Sequence, residues 1–279
     1  MPQINVDGRQ LYWELRGEGD LAVCMGGWGT FCHGAIGGVP RALTQRFQVL
    51  VLDYPGLGDS QGYGEKQPST GDYAEDLAAI LTHIGLGSAH LVGMVGLGGC
   101  IAQELAIRHP ELTRSMVLMG TWGAPDAIFT DQMQLFLDIH QKIGWEAFQL
   151  YAAAYSFEPD YYEANRSRLI HPEGPWSDLR GRLRTHEEFI GACLGHNVLD
   201  RLGQVTVPSL VIHATQDILT GPRLTEPLAR ALANVVERSI AASHVVAGRE
   251  RRAELDRVLT EFFDLLQTPE SLSVERSAS

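Results

Sequence analysis

The chain has 279 residues, 44% of them hydrophobic, enough to bury the core of one large domain or of one domain carrying an insertion, which is expected over two full ones. Its 34 acidic against 22 basic residues leave a formal net charge of −12, a field that repels phosphate backbones and anionic membrane surfaces, so neither nucleic acid nor membrane is an expected partner. No run of about 18 uncharged apolar residues occurs, and the opening MPQINVDGRQ lacks the basic and apolar regions of an export signal, so a cytoplasmic location is expected. The cysteines Cys24, Cys32, Cys100 and Cys193 are scattered, without a C-x-x-C or the density of a disulfide-stapled domain, and free thiols are expected.

In chain order, Gln3 to Val6 and Leu11 to Glu14 flank Asp7-Gly8, a turn signal between two β-prone runs that predicts an antiparallel hairpin. Short apolar runs then follow at Leu21 to Met25, Val49 to Leu52, Leu91 to Val95, Met116 to Met119, Leu210 to Ile212 and Val235 to Ile240. Most are separated by stretches of helical periodicity, the character of parallel strands buried on both faces by crossover helices. Tyr73, Leu77, Ile80, Leu81 and Ile84 make one helical stripe, and Leu255, Val258, Leu259, Phe262, Phe263 and Leu266 make another. Between about 125 and 200 the alternation gives way to a helical, aromatic-rich stretch containing Phe136, Trp145, Phe148, Tyr151 and Trp176, read as an inserted helical cap. The expected organisation is a core over 1–124 and 201–268, a cap over 125–200, and a polar, flexible tail over 269–279.

The segment HLVGMVGLGGCIAQELAIRHP, from His90 to Pro110, passes from an apolar strand through glycines into a helix with Ala and Leu on one face. It resembles the α/β-hydrolase family, in which a G-x-S-x-G elbow holds a nucleophile in a strained strand-to-helix turn. Three other segments carry the same resemblance in the same order: Met25 to Gly29 is similar to the oxyanion loop, Asp53 to Ser60 to the turn after the next strand, and Val207 to Asp217 to the acid-bearing strand. The resemblance implies an α/β-hydrolase fold, a mostly parallel central sheet flanked by helices. It covers most of the chain outside the cap.

The elbow departs from the family's pattern. Aligned from the helix side, with Gly98-Gly99 and His109-Pro110, the nucleophile position falls on Gly96; aligned from the strand side, with Gly93 first, it falls on Val95. Neither frame supplies Ser, Cys or Asp, which speaks against an acyl-enzyme. Gly96 is preferred, because such a turn needs backbone angles that glycine adopts without the Cβ penalty of valine. The NDRG family resembles this chain over the same short segment in having glycine there. Alternatively Cys100, in Gly98 to Ala102, could stand on a displaced elbow similar to that of dienelactone hydrolases; otherwise it is a small buried thiol packing the helix on the sheet.

The resemblance places the family's acid on Asp217 and its histidine on His244, 27 positions apart, which leaves room for a helix and a strand. A carboxylate so placed fixes the imidazole tautomer and leaves the other nitrogen as a general base or acid, a task that needs no serine. A hydrogen-bonded pair with no catalytic task is the alternative. The altered oxyanion loop, Gly26-Gly27-Trp28, still offers the Trp28 N–H, with the Leu97 N–H as second donor unless Leu97 is only a core residue at the helix start. Gly27, Val95, Trp122 and His196 are the expected pocket residues, while Cys32, His33 and Asp126 are weaker polar candidates. No dinucleotide loop, phosphate loop or metal spacing is present, so no cofactor and no metal are expected.

These features point to an enzyme acting on a small, apolar or aromatic carbonyl metabolite by His-Asp acid/base chemistry, as a lyase, isomerase, cyclase or C–C or C–O hydrolase. The family's variety, which includes carbon–carbon hydrolases, lyases and cofactor-free oxygenases, allows this range. A binding protein that keeps the pocket without turnover is the second reading. A small-molecule substrate is the expected partner, and a homodimer is left open.

Overall fold

The computed structural model describes residues 2–29, 31–33 and 36–267, so the expected tail over 269–279 lies outside the described residues. Its strands are β1 Gln3–Val6, β2 Arg9–Arg16, β3 Leu21–Met25, β4 Gln48–Leu52, β5 Ala89–Met94, β6 Thr113–Met119, β7 Ser209–Ala214 and β8 Val235–Ile240. They form one eight-stranded sheet in the order β1-β2-β4-β3-β5-β6-β7-β8. The hairpin pairs Gln3 with Tyr12 and Val6 with Arg9, and its turn uses the positive φ of Asp7 (51°) and Gly8 (84°) that a two-residue primed turn requires. From β4 to β8 every neighbouring pair is parallel. The fold is the α/β-hydrolase fold that the motifs imply.

Alternate side chains of the buried strands feed two cores, because successive Cβ atoms point to opposite faces of a sheet. Leu21, Val23, Met25, Leu91, Met116 and Leu118 pack beneath α2 (Thr70–Ile84) and α3 (Leu97–Arg108), whereas Ala22, Cys24, Val92, Val117 and Ile212 pack beneath α1 (Arg41–Thr44) and α9 (Arg249–Leu265). Helix α2 starts on a reciprocal capping box between Ser69 and Asp72 and stops at Gly85, whose φ of 69° closes the last turn.

Between β6 and β7 the chain builds α4 (Ala127–Lys142), α5 (Trp145–Ser156), α6 (Pro159–Leu169) and α7 (Leu183–Gly195), and then reaches α8 (Pro222–Ala231) after β7. Phe129, Met133, Phe136, Phe148 and Phe189 of α4, α5 and α7 are buried in the same cluster as α2 and α3, so these helices share the core of the sheet. Strands β3, β5, β6, β7 and β8 all end on one edge, and the loops that leave them are where an open α/β sheet places its ligand.

Candidate active site

Strand β5 ends at Met94, one residue before the end expected from the apolar run, and the chain then takes two consecutive positive-φ steps, Val95 at 66° and Gly96 at 60°. Gly96 caps α3 with ψ −121°, so the sharp strand-to-helix turn sits on the residue preferred from the sequence. Both candidate positions therefore have positive φ, and Gly96 is the one that caps the helix. The spacing between Gly93 and Gly98 holds one residue more than G-x-S-x-G, and the extra residue is absorbed by turning Val95 out of the strand while β6 still supports it: the Val95 and Gly96 N–H groups donate to the carbonyls of Met119 at 2.8 Å and Gly120 at 2.7 Å. A β-branched residue with positive φ is a strained exception. Among the described residues there is room for a side chain beside Gly96: a Cβ built there meets only the Gly27 Cα, at 3.9 Å.

The loop after β3 lies directly against this elbow. The Gly98 N–H donates to the Gly26 carbonyl at 2.9 Å, and a Cβ on Gly98 would stand 2.6 Å from the Met25 oxygen and 2.7 Å from the Gly26 oxygen, so only glycine allows the helix this close. Tyr54 adds a hydroxyl donor to the same Gly26 carbonyl at 2.9 Å. Gly27 lies next to Val95, and among the described residues neither the Trp28 nor the Leu97 N–H has a hydrogen-bond acceptor. Leu97 is nonetheless fully buried, so its side chain serves the core while its amide opens the helix.

Asp217 follows β7 and His244 follows β8, and the structure brings them together: Nδ1 of His244 lies 3.0 Å from Oδ2 of Asp217, with both residues buried. Burial would by itself raise the Asp217 carboxyl, but the charge and hydrogen bond of His244, with the Thr220 amide and hydroxyl, hold it below the ordinary carboxylate value. Gly120 joins this pair to the elbow, since a Cβ on it would stand 3.4 Å from the Val95 Cα and 3.7 Å from His244 Nδ1. A hydroxyl does lie within hydrogen-bonding distance of the ring, that of Thr220, 2.9 Å from Nδ1. It sits on the carboxylate side, is buried, and donates its proton to Asp217 at 2.8 Å, which is not the placement of a nucleophile. Sequence reasoning missed Thr220; its signal was a hydroxyl residue three positions after the acid.

The other candidates are placed elsewhere. Cys100 is fully buried in α3, its thiol 3.5 Å from the Thr121 hydroxyl and pushed well above the ordinary value by burial. A thiolate nucleophile is disfavoured there, and iodoacetamide is expected to leave Cys100 unmodified in the folded protein; rapid stoichiometric labelling, read by peptide mass spectrometry, would reverse that assignment. His196 is buried with Nδ1 2.9 Å from the Thr70 hydroxyl and Nε2 3.4 Å from the Gln103 side chain, and Trp122 packs edge-on to it at 6.4 Å. No hydrogen bond or ring contact joins either of these expected pocket residues to His244 among the described residues. Asp126 caps α4 and pairs with Arg223. His33 pairs with Asp53 and Asp59, and the thiol of Cys32 is raised by burial and then by the Asp53 charge. Two clefts lined in common by Asp20 and Arg114 lie at the amino-terminal edge of the sheet, away from this constellation.

A second group unforeseen from the sequence is a histidine pair, His140 of α4 and His186 of α7, with Nδ1 atoms 2.8 Å apart. The Trp28 ring lies edge-on to His186 at 5.0 Å and to Phe136 at 5.7 Å, so the side chain of the oxyanion-loop residue is seated among α4, α5 and α7. Burial pushes His186 down to about 3, and His90 and His196 each down to about 4; His140 is lowered for the same reason. The sign follows directly. An unfolded histidine titrates near 6.5, so between that value and the depressed folded one the unfolded chain binds more protons. The stabilisation is complete above pH ~6.5 and is lost as pH falls, with a slope of up to about 1.4 kcal/mol per pH unit for each such histidine. His33, raised by its hydrogen bond to Asp53, works in the opposite direction. Urea midpoints are expected to drop between pH 7 and 4.5, and less steeply in His186→Phe; equal slopes in the two proteins would contradict this assignment.

Among the described residues no group of three His, Cys, Asp or Glu side chains is arranged to hold a metal ion, and no helix is long and apolar enough to cross a membrane. Comparison with known proteins places the chain in a family. A protein named carbamate hydrolase RutD from Azorhizobium caulinodans is 28% identical over 235 residues, 83% of this chain and 86% of its own, and one of the same name from Pseudomonas syringae pv. syringae is 30% identical over 203 residues, 69% and 74% of the two chains. Among solved structures, the enol-lactonase from Burkholderia xenovorans LB400 superposes with a TM-score of 0.81 at 21% identity, covering 94% of this chain and all of its own, a likeness of fold. The model of the alpha/beta hydrolase fold matches residues 23–247, and the chain therefore belongs to that family.

Proposed function

We propose that the protein is an enzyme acting on a small, uncharged, apolar or aromatic carbonyl compound, with His244 moving protons, Asp217 holding its ring, and the Trp28 and Leu97 amides receiving the oxyanion. The observation that carries this reading is the combination of a side-chain-free Gly96 at the elbow with an intact, buried His244-Asp217 pair beside it. With no side chain to form an acyl intermediate at that position, His244 acts either on water, giving direct hydrolysis, or on an acidic C–H or O–H of the substrate, giving elimination, isomerisation or ring closure.

The relatives narrow the carbonyl class. Proteins named for carbamate and enol-lactone hydrolysis share the sequence or the fold, and both names describe small carbonyl substrates whose breakdown passes through an oxyanion. The half-buried ring of Trp28, backed by the buried Phe136 and Phe148, suits a flat apolar ligand. A panel of dihydrocoumarin, phenyl carbamate, benzoylacetone and p-nitrophenyl acetate tests the reading. Turnover of one of the first three, exceeding that of the activated ester, is expected. Thermal stabilisation by the compounds with turnover of none would favour a ligand-binding protein instead.

A further inference from the structure

The acid of this site accepts four hydrogen bonds, and their arrangement singles out Thr220. Oδ1 of Asp217 receives the Leu219 amide at 2.8 Å and the Thr220 amide at 2.9 Å, while Oδ2 receives the Thr220 hydroxyl at 2.8 Å and faces His244 Nδ1 at 3.0 Å. The Thr220 oxygen also lies 2.9 Å from the same Nδ1. Asp217, Thr220 and His244 therefore close a three-membered ring of contacts in which Thr220 touches both partners of the pair.

A hydroxyl has one proton to give. An ionised carboxylate can only accept, so the Thr220 proton goes to Asp217 as a charge-assisted bond, and the lone pairs of the Thr220 oxygen are left for Nδ1. Nδ1 then faces two acceptors and has to carry the imidazole proton in the neutral ring. The proton is thereby denied to Nε2, the nitrogen that makes no hydrogen bond to a described residue. The hydroxyl also sits beside Gly120, 3.5 Å from where a Cβ would stand, and the Gly120 carbonyl accepts the Gly96 N–H at 2.7 Å, so one residue lies between the group that orients the ring and the elbow.

We propose that Thr220 is a positioning residue of the His244-Asp217 pair: its hydroxyl shares the Nδ1 proton with Asp217, fixes the tautomer whose Nε2 is a base, and sets the angle of the ring toward the elbow. This rests on the acid/base reading above. In an ordinary two-membered arrangement the carboxylate alone does this work; here Oδ2 is divided between two donors, and the hydroxyl makes up the second acceptor for the ring.

The test has a readout that needs no substrate. In proton NMR of the full chain, the low-field ring N–H resonance that disappears in His244→Ala is assigned to Nδ1. Thr220→Val is expected to shift or broaden that resonance and Thr220→Ser to restore it, with both variants retaining the wild-type circular dichroism; Thr220→Ala serves in place of the valine variant if that one does not fold. On the panel compound turned over fastest, Thr220→Val is expected to lower kcat at least about tenfold with KM little changed, the signature of misorientation rather than lost binding. An unchanged resonance in the valine or alanine variant, or a serine variant that restores neither resonance nor kcat, overturns the proposal. Turnover that survives His244→Ala instead overturns the acid/base reading, whatever the resonance shows.

Discussion

Replacing His244 by alanine is expected to lower kcat/KM by about 10²- to 10⁴-fold, the range contributed by a positioned general base or acid, while the protein remains folded. His244 is held by its Nδ1 edge through Asp217 and Thr220, and those partners are themselves tied to the loop amides of Leu219 and Thr220, so the acid side of the pair stays intact without the ring. Removing a buried imidazole leaves a cavity and one fewer partner for Asp217, and some loss of stability comes with it. Circular dichroism and a thermal melt separate that loss from the kinetic one. A variant that is folded and turns over substrate within a few-fold of wild type would mean that the pair is a structural remnant.

Gly96→Ser is expected to convert a protein that ignores a fluorophosphonate probe into one that is labelled. Among the described residues a serine Cβ at this position meets nothing closer than the Gly27 Cα at 3.9 Å. The backbone already holds the angles of the turn, φ 60° and ψ −121°, which a serine would adopt at a strain of about 1–3 kcal/mol. Gly120 lies between the elbow and the Nδ1 edge of the His244 ring, and labelling requires that Nε2 reach the new hydroxyl to activate it. Gel fluorescence after probe treatment reads the outcome, and Gly96→Ser combined with His244→Ala serves as the control that should lose the signal. Labelling of wild type at the elbow would remove the basis for non-covalent chemistry, and an unlabelled but folded Gly96→Ser would show that the ring does not face the elbow.

These expectations show which parts of the structure could be read from sequence. Strands such as Leu21 to Met25 and Leu210 to Ile212 were readable because burial on both faces imposes continuous apolar runs, and the hairpin was readable because Asp7-Gly8 satisfies a turn that demands positive φ. The His244-Asp217 pairing is implied by the resemblance to the family, which puts its acid and histidine after successive strands, and adjacent parallel strands bring those ends together. The elbow was readable only to within one residue, since glycines on both sides of Val95 fit either frame, and the chain resolves the ambiguity by giving positive φ to Val95 and Gly96 alike. What could not be read are contacts set by helix packing. The His140-His186 pair joins residues 46 apart on α4 and α7, and no local pattern announces it. The contacts of Trp122 with Phe129, and of His196 with Thr70 and Gln103, are set by packing in the same way.

The most direct measurement is the intact mass of the enzyme acid-quenched in the midst of turnover, on the panel compound it consumes. A reaction carried by His244 on water or on substrate leaves every quenched molecule at the mass of the unmodified chain. A population heavier by the acyl portion of the compound, mapped by peptide sequencing to any side chain near the elbow, would contradict the account.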